Sequence, residues 1–194
     1  MAAKTVSVLG DDGAGKKTLI GSLIYKCGLQ LPQIEELERE GIRDFAKITT
    51  FYEKKGYDRG FYGPSGPFVV QESHSQVSDV VFWILDASDA ASWASSAQKL
   101  SMSLSSGTLR PKEKLLVLVN KMDLVGWSQH VFEDLLRIFD AVDLKQDHIF
   151  VPISGLRGEN ILSPPDGHPW VNNVSISLST SAAHISERPL MNQL

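Results

Sequence analysis

The sequence predicts an α/β fold, a mostly parallel sheet with helices on both faces. Short apolar, β-branched runs recur along the chain, and helical periodicities fall between them. Those runs are continuous rather than alternating, the pattern of strands buried on both sides.

The first run, Thr5 to Leu9, breaks at Gly10 and reads as a buried strand ending in a turn. Lys16 to Tyr25 carries Leu19, Ile20, Leu23 and Ile24 at helical spacing. Residues 29–66 read differently: a charged run from Glu35 to Glu40, then Gly, Tyr and Lys without a sustained period. The expectation there is a short helix followed by a long mobile connection. The cluster Lys47, Lys54, Lys55 and Arg59, with Tyr52 and Tyr57, reads as a solvated stretch of it. Phe68–Val70, Val80–Leu85, Leu115–Val119 and His148–Ile153 read as further strands. Helical patterns at Ala91–Leu104 and Ser128–Phe139 separate them. From Ser163 the text turns to Pro, Gly, Asn and Ser, so residues 1–170 are expected to form one domain and 171–194 a polar tail, frayed or disordered.

Bulk properties narrow the function classes. The chain has 194 residues, 42% of them hydrophobic and 22% charged, an ordinary globular balance. A formal net charge of −4 gives no indication of nucleic-acid binding. Cys27 is the only cysteine, which rules out an internal disulfide and suits a reducing compartment. The N-terminal text lacks a signal peptide's pattern, and the most apolar run is far too short to span a bilayer. The expectation is a cytoplasmic protein with no membrane partner.

Gly10-Asp11-Asp12-Gly13-Ala14-Gly15-Lys16 matches the first seven positions of the phosphate-binding loop G-x-x-x-x-G-K-[S/T]. It lies between a strand and a helix, as that motif requires, which makes the fold class that of a P-loop NTPase. The glycines let successive amide N–H groups face phosphate oxygens, and the helix's positive end adds to the same spot. Asp12, Gly13, Ala14, Gly15, Lys16, Lys17 and Thr18 are therefore candidate phosphate contacts. Asn120-Lys121-Met122-Asp123 ends another apolar strand. An Asp carboxylate there accepts two N–H bonds from the Watson–Crick edge of guanine; adenine lacks that donor pair. Lys121 can lay its stem along the base or ribose, and Asn120 can tie this loop to the phosphate loop. Ser154, Gly155 and Leu156 follow the last strand, where small residues let backbone amides approach the guanine carbonyl. Ligands of open parallel sheets sit at the strands' carboxyl ends, so three such loops in this order point to GTP or GDP.

The phosphate loop, the Asn-Lys-Met-Asp string and Val151-Pro152-Ile153-Ser154-Gly155-Leu156-Arg157-Gly158-Glu159-Asn160 resemble the nucleotide domain of the elongation factor 1-alpha family of translational GTPases. Leu37-Glu38-Arg39-Glu40-Gly41-Ile42 resembles that family's first switch segment. The similarity covers roughly residues 4 to 170 and has no counterpart of the family's two β-barrel domains. It implies a guanine-nucleotide-dependent GTPase whose switch segment, within 29–66, meets a protein partner.

The departures cluster on one function. Where the family places a Ser or Thr that ligates Mg²⁺ stands Lys17; Thr18, next along, lies about 100° around the helix. Arg43 stands where the first switch offers a Thr. The second switch reads Gln71-Glu72-Ser73-His74, without the family's Asp and Gly, and the helix after it is deleted. Thr18 is the remaining metal candidate beside Glu72, and His74 the nearest match to the water-orienting histidine. Because phosphoryl transfer in this class depends on the metal and that water, hydrolysis is expected to be weak or lost, with the Mg²⁺ requirement open. Lys17 either meets phosphate charge in place of the metal or is a solvated helix residue. The alternative function is an interaction module that no longer depends on nucleotide. An ATP-using P-loop enzyme is disfavoured, because adenine offers Asp123 nothing.

Overall fold

A computed structural model describes residues 2–71, 77–142, 144–172, 183–186 and 188–194. In chain order its elements are β1 (Lys4–Gly10), α1 (Lys16–Cys27), α2 (Leu31–Arg39), α3 (Phe45–Lys55), β2 (Gly60–Gly63), β3 (Gly66–Val70), β4 (Val77–Asp86), α4 (Trp93–Ser105), β5 (Arg110–Asn120), α5 (Gln129–Asp140), β6 (His148–Pro152) and β7 (Ala183–Ile185). Among the described residues seven strands form one sheet in the order β2-β3-β1-β4-β5-β6-β7. Every pairing is parallel except the β2–β3 hairpin.

Alternation along the central strands explains the continuous apolar runs. Val80, Phe82 and Ile84 of β4, with Leu116 and Leu118 of β5, enter a core closed by α1, α2 and α3. Val81, Trp83 and Leu85, with Leu115, Val117 and Val119, enter a second core closed by α4 and α5. Neither face of these strands meets water, so neither needs polar residues. The chain order reverses beside β1, which lies between β3 and β4. In such a sheet this switch point opens a crevice at the strands' carboxyl ends.

Two sequence expectations are corrected. Residues 45–55, expected within a mobile connection, form a capped helix. The Asp44 side chain accepts from the Ala46 N–H at 2.8 Å, and left-handed Gly56 ends α3. Ile48, Thr49, Phe51 and Tyr52 are buried, and the Tyr52 hydroxyl donates to Gln33 Oε1 at 2.9 Å. The charged residues of this stretch sit on the opposite side: Lys55 pairs with Glu36 and Glu40. Lysines interleaved with the apolar stripe hid its period in the sequence.

The tail is the second correction. Within 171–194, β7 adds to the edge of β6 in parallel register. Leu190 and Met191 are buried in the first core, and their N–H groups donate to Asn160 O and Ile161 O, each at 2.9 Å. With Leu194 these are three apolar residues scattered among polar ones, without a sequence period, yet all are buried in the first core. Leu190→Ala is expected to cost about 2–5 kcal/mol, the range for a fully buried leucine. A thermal midpoint unchanged by that substitution would show that the segment contributes nothing to the fold.

Candidate nucleotide site

The site is assembled where β1, β5 and β6 end. Gly10 closes β1 and the chain turns through Asp11–Gly15 into α1. Gly15 is the residue before that helix, at φ 99°, and no side chain caps the helix start. A Cβ at Gly15 would lie 2.4 Å from Asn120 Nδ2, so both the turn and the approach of the next loop demand glycine here. The first-turn amides of α1 have no intrahelical partner, which leaves them available to an anion. The Lys16 ammonium folds back over the loop and donates to Gly10 O at 2.8 Å and Asp11 O at 2.7 Å. That posture places a cation over the same hollow.

Asp11 is held outward by α4 through a 2.5 Å pair with Lys99. Burial works against its charge, but bonds from Lys99 and Ser96 outweigh that and keep the carboxyl below the usual range. One of the loop's two acidic residues is thereby paired with a cation, which lowers the repulsion a phosphate would meet.

Asn120 ends β5 and is 2% exposed. Its Nδ2 donates to Ala14 O at 2.8 Å, and its Oδ1 accepts from the Gly155 N–H at 2.8 Å. One buried amide therefore ties the phosphate loop to both loops after β5 and β6. Lys121 follows in the left-handed region at φ 63°. Its ammonium meets Asp86 Oδ2 at 2.5 Å, and Asp86 also accepts from Ser88. Burial raises the Asp86 carboxyl, while Lys121 and Ser88 lower it further, for a net shift below the ordinary value. Anchored at its tip, Lys121 presents its aliphatic stem as a wall.

Gly15, Thr18, Asn120, Lys121, Asp123, Leu124 and Leu156 line a cavity of about 210 Å³. That is smaller than the roughly 300–1,000 Å³ of a pocket enclosing a whole ligand. Leu124 and Leu156 are each 63% exposed, an apolar rim with no packing role of its own. The Asp123 side chain is 6% exposed and reaches the cavity. Ser154 is fully buried and closes a turn: its carbonyl accepts from Gly158 and Glu159, and its hydroxyl accepts from the Arg157 N–H.

Lys17 points elsewhere. Its ammonium lies 3.3 Å from Glu53 of α3, which is also 3.5 Å from Arg59. An ammonium has no lone pair to give a cation, and Thr18 turns toward the base side of the cavity. Among the described residues no group of three His, Cys, Asp or Glu side chains could hold a metal ion. His74 and Glu72 lie outside the described residues. The Leu37–Ile42 segment ends α2: Gly41 is left-handed, and the Ile42 N–H returns to Leu37 O at 2.9 Å. Gly41 and Ile42 share a groove with Tyr25 and Leu29 at the far end of α1, about 15 Å from the phosphate loop at 1.5 Å per helical residue. As placed, the segment is a helix cap remote from any phosphate.

Sequence reading missed Asp86, Leu124 and Glu53. Asp86 pairs directly with Asn120 across the sheet, so both β4 and β5 end in a polar residue at the same edge. That was the one available signal. Glu53 is distant in sequence from Lys17, the residue of α1 that it meets.

No protein-family model matches the chain. It is 29% identical over 201 residues to elongation factor 1-alpha-A of Schizosaccharomyces pombe, covering 85% of this chain and 43% of that relative. Over most of its length the chain is thus similar in sequence to elongation factor 1-alpha. The chain spans under half the length of that curated relative. Its fold superposes on the structure of Sup35 complexed with GDP, at TM-score 0.56 and 19% identity, over 84% of this chain and 40% of that one. It also superposes on the Arl6 small GTPase of Trypanosoma brucei, at TM-score 0.53 and 20% identity, over 81% of this chain and 90% of that one. The elongation-factor-like domain thus has the P-loop GTPase fold. Among its described residues no helix is long and apolar enough to cross a membrane.

Proposed function

We propose that the chain binds GDP and GTP at this cavity and hydrolyses GTP slowly or not at all. The observation that carries the reading is Asn120, whose single buried amide holds the phosphate, base and small-residue loops together. A site preformed in this way loses little order when a nucleotide enters. Asp123 supplies base selection, Lys121 and Leu156 the walls, and Gly13–Lys16 the phosphate cradle. Sup35, of the same fold, is complexed with GDP in its structure. The absence of a hydroxyl at Lys17 supports weak hydrolysis, since the reaction class relies on a metal held there.

Titration with fluorescent GDP, GTP and ATP tests the reading. Submicromolar GDP and GTP binding with ATP at least about 100-fold weaker is expected, from the penalty for leaving Asp123 unpaired. Excess chelator should change GDP affinity by less than about 3-fold, because Lys17 stands where a metal-ligating hydroxyl is expected. Single-turnover phosphate release should stay near the uncatalysed rate. A large loss on chelation, or rapid release, would remove the weak-hydrolysis reading.

A second reading, a nucleotide-independent interaction module using residues 29–66, is favoured by Leu31, 69% exposed at the start of α2. Failure of every nucleotide to bind would select it.

A further inference from the structure

Arg157 follows Leu156 on the loop after β6. Its backbone is fixed, since its N–H donates to Ser154 Oγ at 3.2 Å inside a turn closed by the Gly158 and Glu159 amides. Its side chain is 65% exposed and reaches to Asp123, with Nε 3.6 Å from Asp123 Oδ2. Asp123, the base-reading carboxylate, keeps only 6% of its side-chain surface. A carboxylate so covered is costly unless a cation or hydrogen-bond donors face it.

A guanidinium offers a carboxylate adjacent N–H donors in one plane. The Watson–Crick edge of guanine offers the same arrangement. We propose that Arg157 is a tethered competitor for guanine: it occupies Asp123 in the free protein and swings away when the nucleotide seats. The proposal rests on the guanine-binding reading above. Arg157 is therefore a positioning residue that sets affinity through Asp123. The Arg157 guanidinium is largely exposed and stands 3.6 Å from the buried carboxylate, so water competes for it and the pair is weak. The fraction of protein with Asp123 open is accordingly reduced by a modest factor, and apparent affinity falls by that same factor. Adenine does not use Asp123, so ATP binding carries no such penalty.

Fluorescent GDP titration of the full chain and of Arg157→Ala and Arg157→Gln tests this, at low salt and in about 0.5 M salt. Glutamine keeps the length and bulk but not the cation, which separates pairing from steric blocking. Both variants are expected to bind GDP about 3- to 10-fold tighter at low salt. The gain should shrink at high salt, because the exposed guanidinium is screened. ATP affinity should not move. Unchanged or weaker GDP binding by both variants at low salt overturns the proposal while leaving guanine binding intact. Failure of wild type and variants alike to bind GDP overturns the guanine reading and the competitor with it.

Discussion

Asp123→Ala is expected to abolish the preference for guanine over adenine nucleotides. Its carboxylate is the one acidic group lining the cavity, and it lies beside the apolar rim of Leu124 and Leu156. Removing it strands the guanine N–H donors in a poorly hydrated pocket. Truncating one partner of a buried, charge-assisted hydrogen bond costs about 2–5 kcal/mol, or roughly 30-fold to several-thousand-fold in GDP affinity. ATP affinity should stay where it is, so the two nucleotides converge. The fold should survive, because Arg157, its ion-pair partner, can return to water. GDP affinity within about 3-fold of wild type would mean that the base, if bound at all, is read elsewhere.

Gly21→Ala is expected to be the most damaging small substitution in the helical layer. Helices α1 and α3 cross at Gly21, where an added Cβ would stand 1.8 Å from the Phe45 carbonyl oxygen and 2.6 Å from its carbon. The obstacle is backbone, so no side-chain rotation relieves it. The same crossing is fastened by Thr49, fully buried, whose hydroxyl donates to Lys17 O at 2.7 Å. Separating the helices breaks that bond and opens the core around Ile48 and Phe51. Overpacking of this severity costs about 3 kcal/mol or more, which lowers the midpoint of a domain this size by about 6–12 °C. A shift below about 2 °C in a thermal melt would show that α3 is not seated against α1 as described. Because α1 also carries Lys16 at its first turn, the same variant should weaken GDP binding, which the titration used for Asp123→Ala would reveal.

The two variants also separate two layers of the molecule. Asp123→Ala strikes recognition and spares stability; Gly21→Ala strikes stability first. Their contrast follows from position: one side chain lines an open cavity, the other position is a backbone crossing with no room for an atom.

The sheet, its parallel sense and the three loops at its carboxyl edge were legible in the residues themselves. Strand burial writes itself into continuous apolar runs such as Val80–Leu85, and a phosphate loop must spell its glycines because backbone shape is a local property. Asn120 and Asp123 were legible for a related reason: one short turn carries both. Residues 45–55 were misread because the apolar stripe of α3 is interleaved with lysines that face away from the core. The tail was misread because β7 has only three residues, too few to show a period, and Leu190 and Met191 matter only where they land.

What the sequence determined alone is therefore everything encoded within one strand, one helix or one turn: fold class, phosphate loop and base-reading loop. Tertiary structure alone decided which distant charges meet. It put Glu53 against Lys17, so that this ammonium faces a carboxylate; it set Asp86 under Lys121 and Arg157 across Asp123. Each of those pairs joins residues from different elements, and a Coulomb interaction depends on separation in space, which local pattern does not specify.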